Sequence, residues 1–290
     1  MSRDPTDRFR FWRRTGTFAG LAALMSLAGS WISVPGTLVG APGILLGAVA
    51  AGWILLAWDG FPIAALGFHG SGRAAAREAV LGSALGLTVA LVAVGIMAGS
   101  GVVRWTGQGG EGILKSAFLS LWFFAVPAAA EEALFRGYPL QAAARSWGPL
   151  PALLVTSLAF AALHGTNPEV SPFALLNIGA AGLFLGMIYL RTGSLWWATG
   201  AHLGWNWAHG FAADLPVSGL DLVDNPALRP IVRGPDWLSG GAFGPEASLA
   251  GTAALLAGAV WCWRTRRLGV SPALEEKETL APLLKGPRGI

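Results

Sequence analysis

Phe118-Leu-Ser-Leu-Trp-Phe-Phe-Ala-Val126 leads through Pro127 into Ala128-Ala-Ala-Glu-Glu-Ala-Leu-Phe-Arg136. The first half is too apolar for an ordinary surface helix. The second sets two adjacent carboxylates at its inner end, where each would cost ~2.5–3.5 kcal/mol on membrane-insertion scales. Ionisable groups kept in such a place mark a functional site. Helix residues four apart are neighbours, whereas residues one apart point about 100° from each other. Glu132 and Arg136 therefore pair along one face, with the acid on the favourable N-terminal side. Glu131 is left on another face with no local partner. The pair reads as structural, and Glu131 as the group that does chemistry.

Composition supports a membrane setting for this stretch. Of the 290 residues, 53% are hydrophobic and 12% charged, and the mean hydropathy is +0.54. Soluble domains carry about 25% charged residues, so a soluble globular class is excluded. The 41 Gly and 14 Trp fit close helix contact and interfacial anchoring. A single cysteine, Cys262, excludes an internal disulfide and a Cys-rich metal site.

Working outward, eight apolar spans are expected. The first covers 15–33, behind a basic segment Met1–Arg14 that superficially resembles a signal peptide. Thr37–Trp58 is the second. Asp59–Arg77 reads as a loop containing His69, with a helix starting over Ala74–Val80, and 78–100 is the third span. A Gly-rich connection, Gly101–Gly112, precedes the fourth, which begins near Ile113. Pro127 predicts a kink in it, and Arg136-Gly-Tyr-Pro139 an end or a bend into an interfacial continuation through Ala144. After a break at Trp147-Gly-Pro-Leu-Pro151, Ala152–His164 is the fifth span. Phe173–Leu190, with Gly179, Gly182 and Gly186 spaced for close packing, is the sixth. Leu195–Ala213 is the seventh, Asp214–Glu246 a long polar loop, and Ala247–Trp263 the eighth, followed by a polar tail that reads as disordered. No repeat is visible. The expected fold is all-α and polytopic, with a bundled intramembrane site. It divides into an N-terminal part (1–112), a core (113–213) and a C-terminal part (214–290).

Alternation over eight spans puts both termini on one side, together with all of the 20 Lys and Arg except Arg104, Lys115, Arg229 and Arg233. The positive-inside rule then makes that side cytoplasmic, and the expected location is a bacterial cell membrane.

The other polar groups within spans are few. His164 ends Phe160-Ala-Ala-Leu-His164. His202, Asn206 and His209 fall in His202-Leu-Gly-Trp-Asn-Trp-Ala-His209, and Asn177 lies in the sixth span. His202 and Asn206, four apart, share a helix face. With Glu131 they place two imidazoles, a carboxylate and an amide where three helices can line one cavity. Asn177 and His209 read as helix-to-helix hydrogen bonds. On the expected boundaries His164 lies ~20 Å along its helix from Leu150, but His202 only ~10 Å from Leu195. The two meet if helices tilt, or if the fourth span continues past Arg136.

Glu131-Glu-Ala-Leu-Phe-Arg136, Phe160–His164 and His202–Asn206 occur in this order on separate apolar segments. In this they resemble the E-E-x-x-x-R, F-x-x-x-H and H-x-x-x-N motifs of the CPBP intramembrane proteases, a family that includes the type II CAAX prenyl endopeptidases and lysostaphin-resistance-type proteins. The resemblance spans about residues 113–210. It implies an eight-span peptidase opening to the cytoplasm, with functional positions at Glu131, Glu132, Arg136, Phe160, His164, His202 and Asn206.

A partly desolvated Glu131 is a stronger base than one in water and can take a proton from a water shared with His164. His202 and Asn206 can donate to an oxyanion. The rival assignment is a zinc enzyme using Glu131, His164 and His202 as ligands around an open position, although no H-E-x-x-H is present. The expected partners are a membrane-associated peptide or lipidated protein substrate and the bilayer, not nucleic acid. A proton-coupled transporter using Glu and His as a relay, and a scaffold or immunity protein without turnover, are the alternative functions.

Overall fold

The computed structural model describes residues 5–29, 37–107 and 110–271. The chain is an all-α polytopic membrane protein, and each apolar segment forms a helix. These are α1 (Pro5–Gly29), α2 (Ala41–Trp58), α3 (Gly72–Gly99), α4 (Ile113–Glu132), α5 (Tyr138–Trp147), α6 (Pro149–Leu163), α7 (Pro172–Thr192), α8 (Leu195–Trp207), the short α9 (Asp236–Ser239) and α10 (Leu249–Arg264). Among the described residues five helical stretches are long and apolar enough to cross a membrane: α2, α3, the run from Ile113 to Trp147, the run from Pro149 to Thr166, and α7. Helix α8 reaches its expected length only with the π turn that follows it, and α10 lies within two residues of the expected eighth span. The far end of the first expected span and the C-terminal tail from 272 on lie outside the described residues.

Several boundaries move. Helix α1 starts at Pro5, so much of the basic segment is helical rather than a tail. Helix α3 starts at Gly72, where Ser71 accepts from the Ala74 amide as N-cap. The helix is unbroken at Pro127. The irregularity falls at Ala133–Gly137, a π-helical turn that joins α4 to α5 next to the bend expected at Arg136–Pro139, and a second π turn, Ala208–Ala212, continues α8. The connection 101–112 and the loop 214–246 are not featureless. Val103–Gly107 (β1) and Leu228–Val232 (β2) pair antiparallel with Arg104 opposite Ile231, and the Trp105 indole donates to the Ala213 carbonyl at 2.7 Å. Two short strands 123 residues apart at Thr106 and Arg229 leave no periodicity that a sequence reading could use.

Glycines set the helix spacing where backbones meet. A Cβ on Gly82 or Gly86 of α3 would fall 2.3 Å from the Trp197 carbonyl or 1.9 Å from the Ala201 carbonyl. One on Gly200 or Gly204 of α8 would fall 2.2 and 2.1 Å from the Ala79 and Ser83 carbonyls. Moving along α3 moves along α8 in the same direction, so the two run parallel along a seam of small residues. On α7, Gly182 and Gly186 meet Ser157 and Leu153 of α6 in the same way, whereas Gly179 has only ordinary contact with Ala161. Gly86→Ala is expected to destabilise the protein by about 1–3 kcal/mol or more through overpacking. Thermal unfolding of the purified variant checks this, and an unchanged Tm would refute the seam.

Helix α8 begins inside the protein rather than at its surface. Thr192, Ser194 and Leu195 are fully buried. The Leu195 amide donates to the Gly67 carbonyl, His69 Nε2 donates to the Gly193 carbonyl at 3.1 Å, and the Ser271 amide donates to the Thr192 carbonyl. Glu78 of α3 accepts from the hydroxyls of both Ser194 and Ser271. His69 is thus a buried tie, not a simple loop residue.

Candidate active site

The mismatch in depth expected between His164 and His202 resolves in two ways. The fourth span does continue past Arg136, through the π turn and α5 to Trp147, where α6 starts. Glu132 is then ~22 Å of helix from Trp147 and His164 ~21 Å from Leu150. The start of α8 is itself sunk under the 59–71 loop and the 265–271 segment, so ~10 Å from Leu195 reaches the same level.

Glu131, His164 and His202 meet there. Glu131 Oε2 is 3.7 Å from His164 Nε2 and 3.8 Å from His202 Nε2. It is buried and has no hydrogen-bond partner among the described residues. Both separations exceed a direct hydrogen bond. The other imidazole nitrogens are committed. His164 Nδ1 donates to the Phe160 carbonyl at 2.8 Å, and His202 Nδ1 donates to Glu132 Oε1 at 3.0 Å. In the neutral form each ring therefore turns an Nε2 lone pair toward Glu131.

Glu132 has two partners rather than the one expected. Its Oε1 also accepts from Arg136 Nη1 at 3.0 Å, and both side chains are essentially inaccessible, at 0% and 1%. Arg136 Nη2 donates to the Gly182 carbonyl at 3.3 Å, and its guanidinium lies 4.4 Å from the Phe160 ring centroid. Phe160 packs edge-on against Phe135 and contacts the rings of His164 and His202. The i, i+4 geometry thus delivers Glu132 to Arg136 as expected, and the inward face of α8 adds His202.

Asn206 is buried one turn beyond His202 on α8, and its Oδ1 has no hydrogen-bond partner among the described residues. His209 is not drawn into the cluster; it bonds to the backbone of Ala90 on α3 and stacks edge-on with Trp205. Asn177 joins helices as expected, donating to the Ser248 carbonyl and accepting from Thr252.

Residues that the motifs did not single out complete the surroundings. A cavity of about 20 Å³, room for one water molecule, is lined by His164 and His202 together with Phe160, Trp205, Ser218 and Glu246. Glu246 accepts from the Trp205 indole at 3.1 Å and from the Ser218 amide and hydroxyl at 2.7 and 2.6 Å. Ser218 adopts a left-handed backbone conformation, φ 52°, and its carbonyl accepts from Asn167. The long loop therefore folds back against the site instead of standing apart. Its only sequence signal was an isolated acid ahead of the last helix.

The zinc assignment requires Glu131, His164 and His202 to converge on one point. Among the described residues no group of three or more His, Cys, Asp or Glu is gathered so as to hold a metal ion. Glu131 Oε2 and the two Nε2 atoms nevertheless face one another, and no step is routed through an ion.

Residues 113–208 match the model of the family described as Rce1-like, type II CAAX prenyl endopeptidase Rce1-like. The matched stretch carries all three motifs and bears out the resemblance read from them. No curated protein and no solved structure matches the chain.

Proposed function

We propose, from a core that matches the type II CAAX prenyl endopeptidases, that this chain is an intramembrane endopeptidase in which Glu131 activates water. The observation that carries the reading is the buried, unbonded Glu131 Oε2 facing two imidazole Nε2 atoms at 3.7 and 3.8 Å. These gaps suit a water held among the three groups.

The water gives one hydrogen bond to Glu131 and one to His164 Nε2, whose lone pair is free because Nδ1–H is tied to Phe160. Glu131 takes the proton as the water oxygen adds to the scissile carbonyl carbon. In its imidazolium form His202 keeps Nδ1–H on Glu132 and donates through Nε2 to the developing oxyanion, and the Asn206 amide is the second donor. Such donors are worth about 10²–10³ in rate each. Glu131 then passes its proton to the leaving nitrogen, the C–N bond breaks, and the carbonyl carbon leaves as a carboxylic acid. Glu132 holds His202 in place, and Arg136 offsets the charge of Glu132.

The charge distribution supports cytoplasmic termini for the same reading. Arg191 Nη2 donates to the carbonyls of Thr265 and Leu268, which gathers the basic turn after α7 and the Arg264–Arg267 segment at one end. Arg104, Arg229 and Arg233 belong to the ribbon or its flank. The substrate class that fits is a prenylated CAAX-type protein tail presented from the membrane.

Purified protein in proteoliposomes is expected to shorten a farnesylated CAAX peptide, read by mass spectrometry, with a rate unaffected by a strong zinc chelator. Loss of cleavage on chelation, restored by zinc, would overturn the glutamate mechanism. Failure to cut both this peptide and every membrane peptide of a whole-membrane digest would overturn the peptidase assignment.

A further inference from the structure

A second, larger concavity lies outside the peptidase site, between α3 and α10. It has a volume of about 840 Å³, within the range of small-molecule sites. Its walls are apolar: Leu81, Leu85 and Val92 from α3, Ala257 and Trp261 from α10, with Trp197 of α8 behind them. One end is basic. Arg77 and Arg267 both line it and are exposed, and among the described residues neither makes an ion pair. Glu78 lines the same end, but its carboxylate is buried and accepts from Ser194 and Ser271, so it is turned into the protein. From Arg77 to Val92 the groove follows α3 for ~22 Å, against ~15 Å for half of a hydrocarbon core.

A hydrocarbon-lined channel as long as one leaflet, ending at two unpaired guanidiniums, has the chemistry of a chain attached to a phosphate. Guanidinium forks recognise phosphate oxygens, and basic pockets between membrane helices hold anionic head groups. We propose that the α3–α10 groove is a binding site for one anionic glycerophospholipid. Arg77 and Arg267 hold its phosphate, and one acyl chain lies between the two helices. The bound chain rests against Trp197, on the helix that carries His202. The site is independent of the peptidase reading, since none of its residues belongs to the candidate active site.

Native mass spectrometry of the purified full chain, offered equimolar phosphatidylglycerol and phosphatidylcholine with identical acyl chains, tests this. Retention of one phosphatidylglycerol with a preference of about tenfold or more is expected. The double substitution Arg77→Gln with Arg267→Gln removes the preference. Arg264→Gln with Arg266→Gln, equally basic but outside the groove, leaves it intact. Ala257→Trp obstructs the path of the acyl chain between the helices while keeping both arginines, and is expected to weaken retention of the lipid. Equal retention of both lipids by the wild type would overturn the proposal, as would loss of the preference in the Arg264/Arg266 variant. Displacement of the lipid by farnesyl-cysteine methyl ester would reassign the groove to an isoprenoid and overturn it too.

Discussion

Glu131→Gln is expected to lower kcat/KM for a farnesylated CAAX peptide by about 10³-fold or more, within the span that a positioned general base contributes. The substitution keeps the size and most of the hydrogen-bonding capacity of the side chain and removes its basicity. Because Glu131 Oε2 makes no hydrogen bond to a described residue, only its 3.7 and 3.8 Å approaches to the two imidazoles are weakened, and unfolding of the variant should stay close to the wild type. Where the peptide is a poor substrate, the comparison transfers to membrane digests from cells carrying active or Glu131→Gln protein. Undiminished cleavage by the variant would end the assignment of Glu131 as base.

Arg136→Leu is expected to cost up to about 3–5 kcal/mol of stability, because it removes the one guanidinium from the buried carboxylate of Glu132 and leaves it only His202. Both groups are essentially inaccessible, so the exposed-pair value of under about 1 kcal/mol does not apply. The double change Glu132→Leu with Arg136→Leu should recover most of the loss, since a buried ion pair replaced by apolar groups is often neutral. It should not recover activity, because His202 Nδ1 loses its carboxylate. Denaturant unfolding and peptide cleavage measured on the same preparations separate the two effects. An Arg136→Leu protein as stable as the wild type would show that the pair does not hold the bundle together.

Much of this was legible in the chain because helical periodicity is local. Glu132 to Arg136, and His202 to Asn206, are statements about one turn of one helix, and the three motifs sit on helices that hydropathy alone delimits. What stayed hidden depends on segments far apart. Nothing near Ser194 indicates that α8 starts under a lid made of Gly67, His69 and Ser271, which is why the depth of His202 looked inconsistent with that of His164. Glu246 reaches the cavity only because a loop of many residues folds back through Ser218. The second bond of Glu132 likewise needed the facing helix to be in place. The bend expected at Arg136–Pro139 is present, but its π-helical form was not legible, because that depends on which carbonyl each amide finds.

The buried start of α8 makes that helix depend on residues far downstream of it. The groups that close over Thr192 and Ser194 come from residues 265–271, beyond the last helix. A chain carrying all three motifs but cut before residue 265 lacks the backbone partner of Thr192 and one of the two hydroxyls on Glu78. The last helix and the segment behind it hold none of the motifs, yet they anchor the start of the helix that bears one of them.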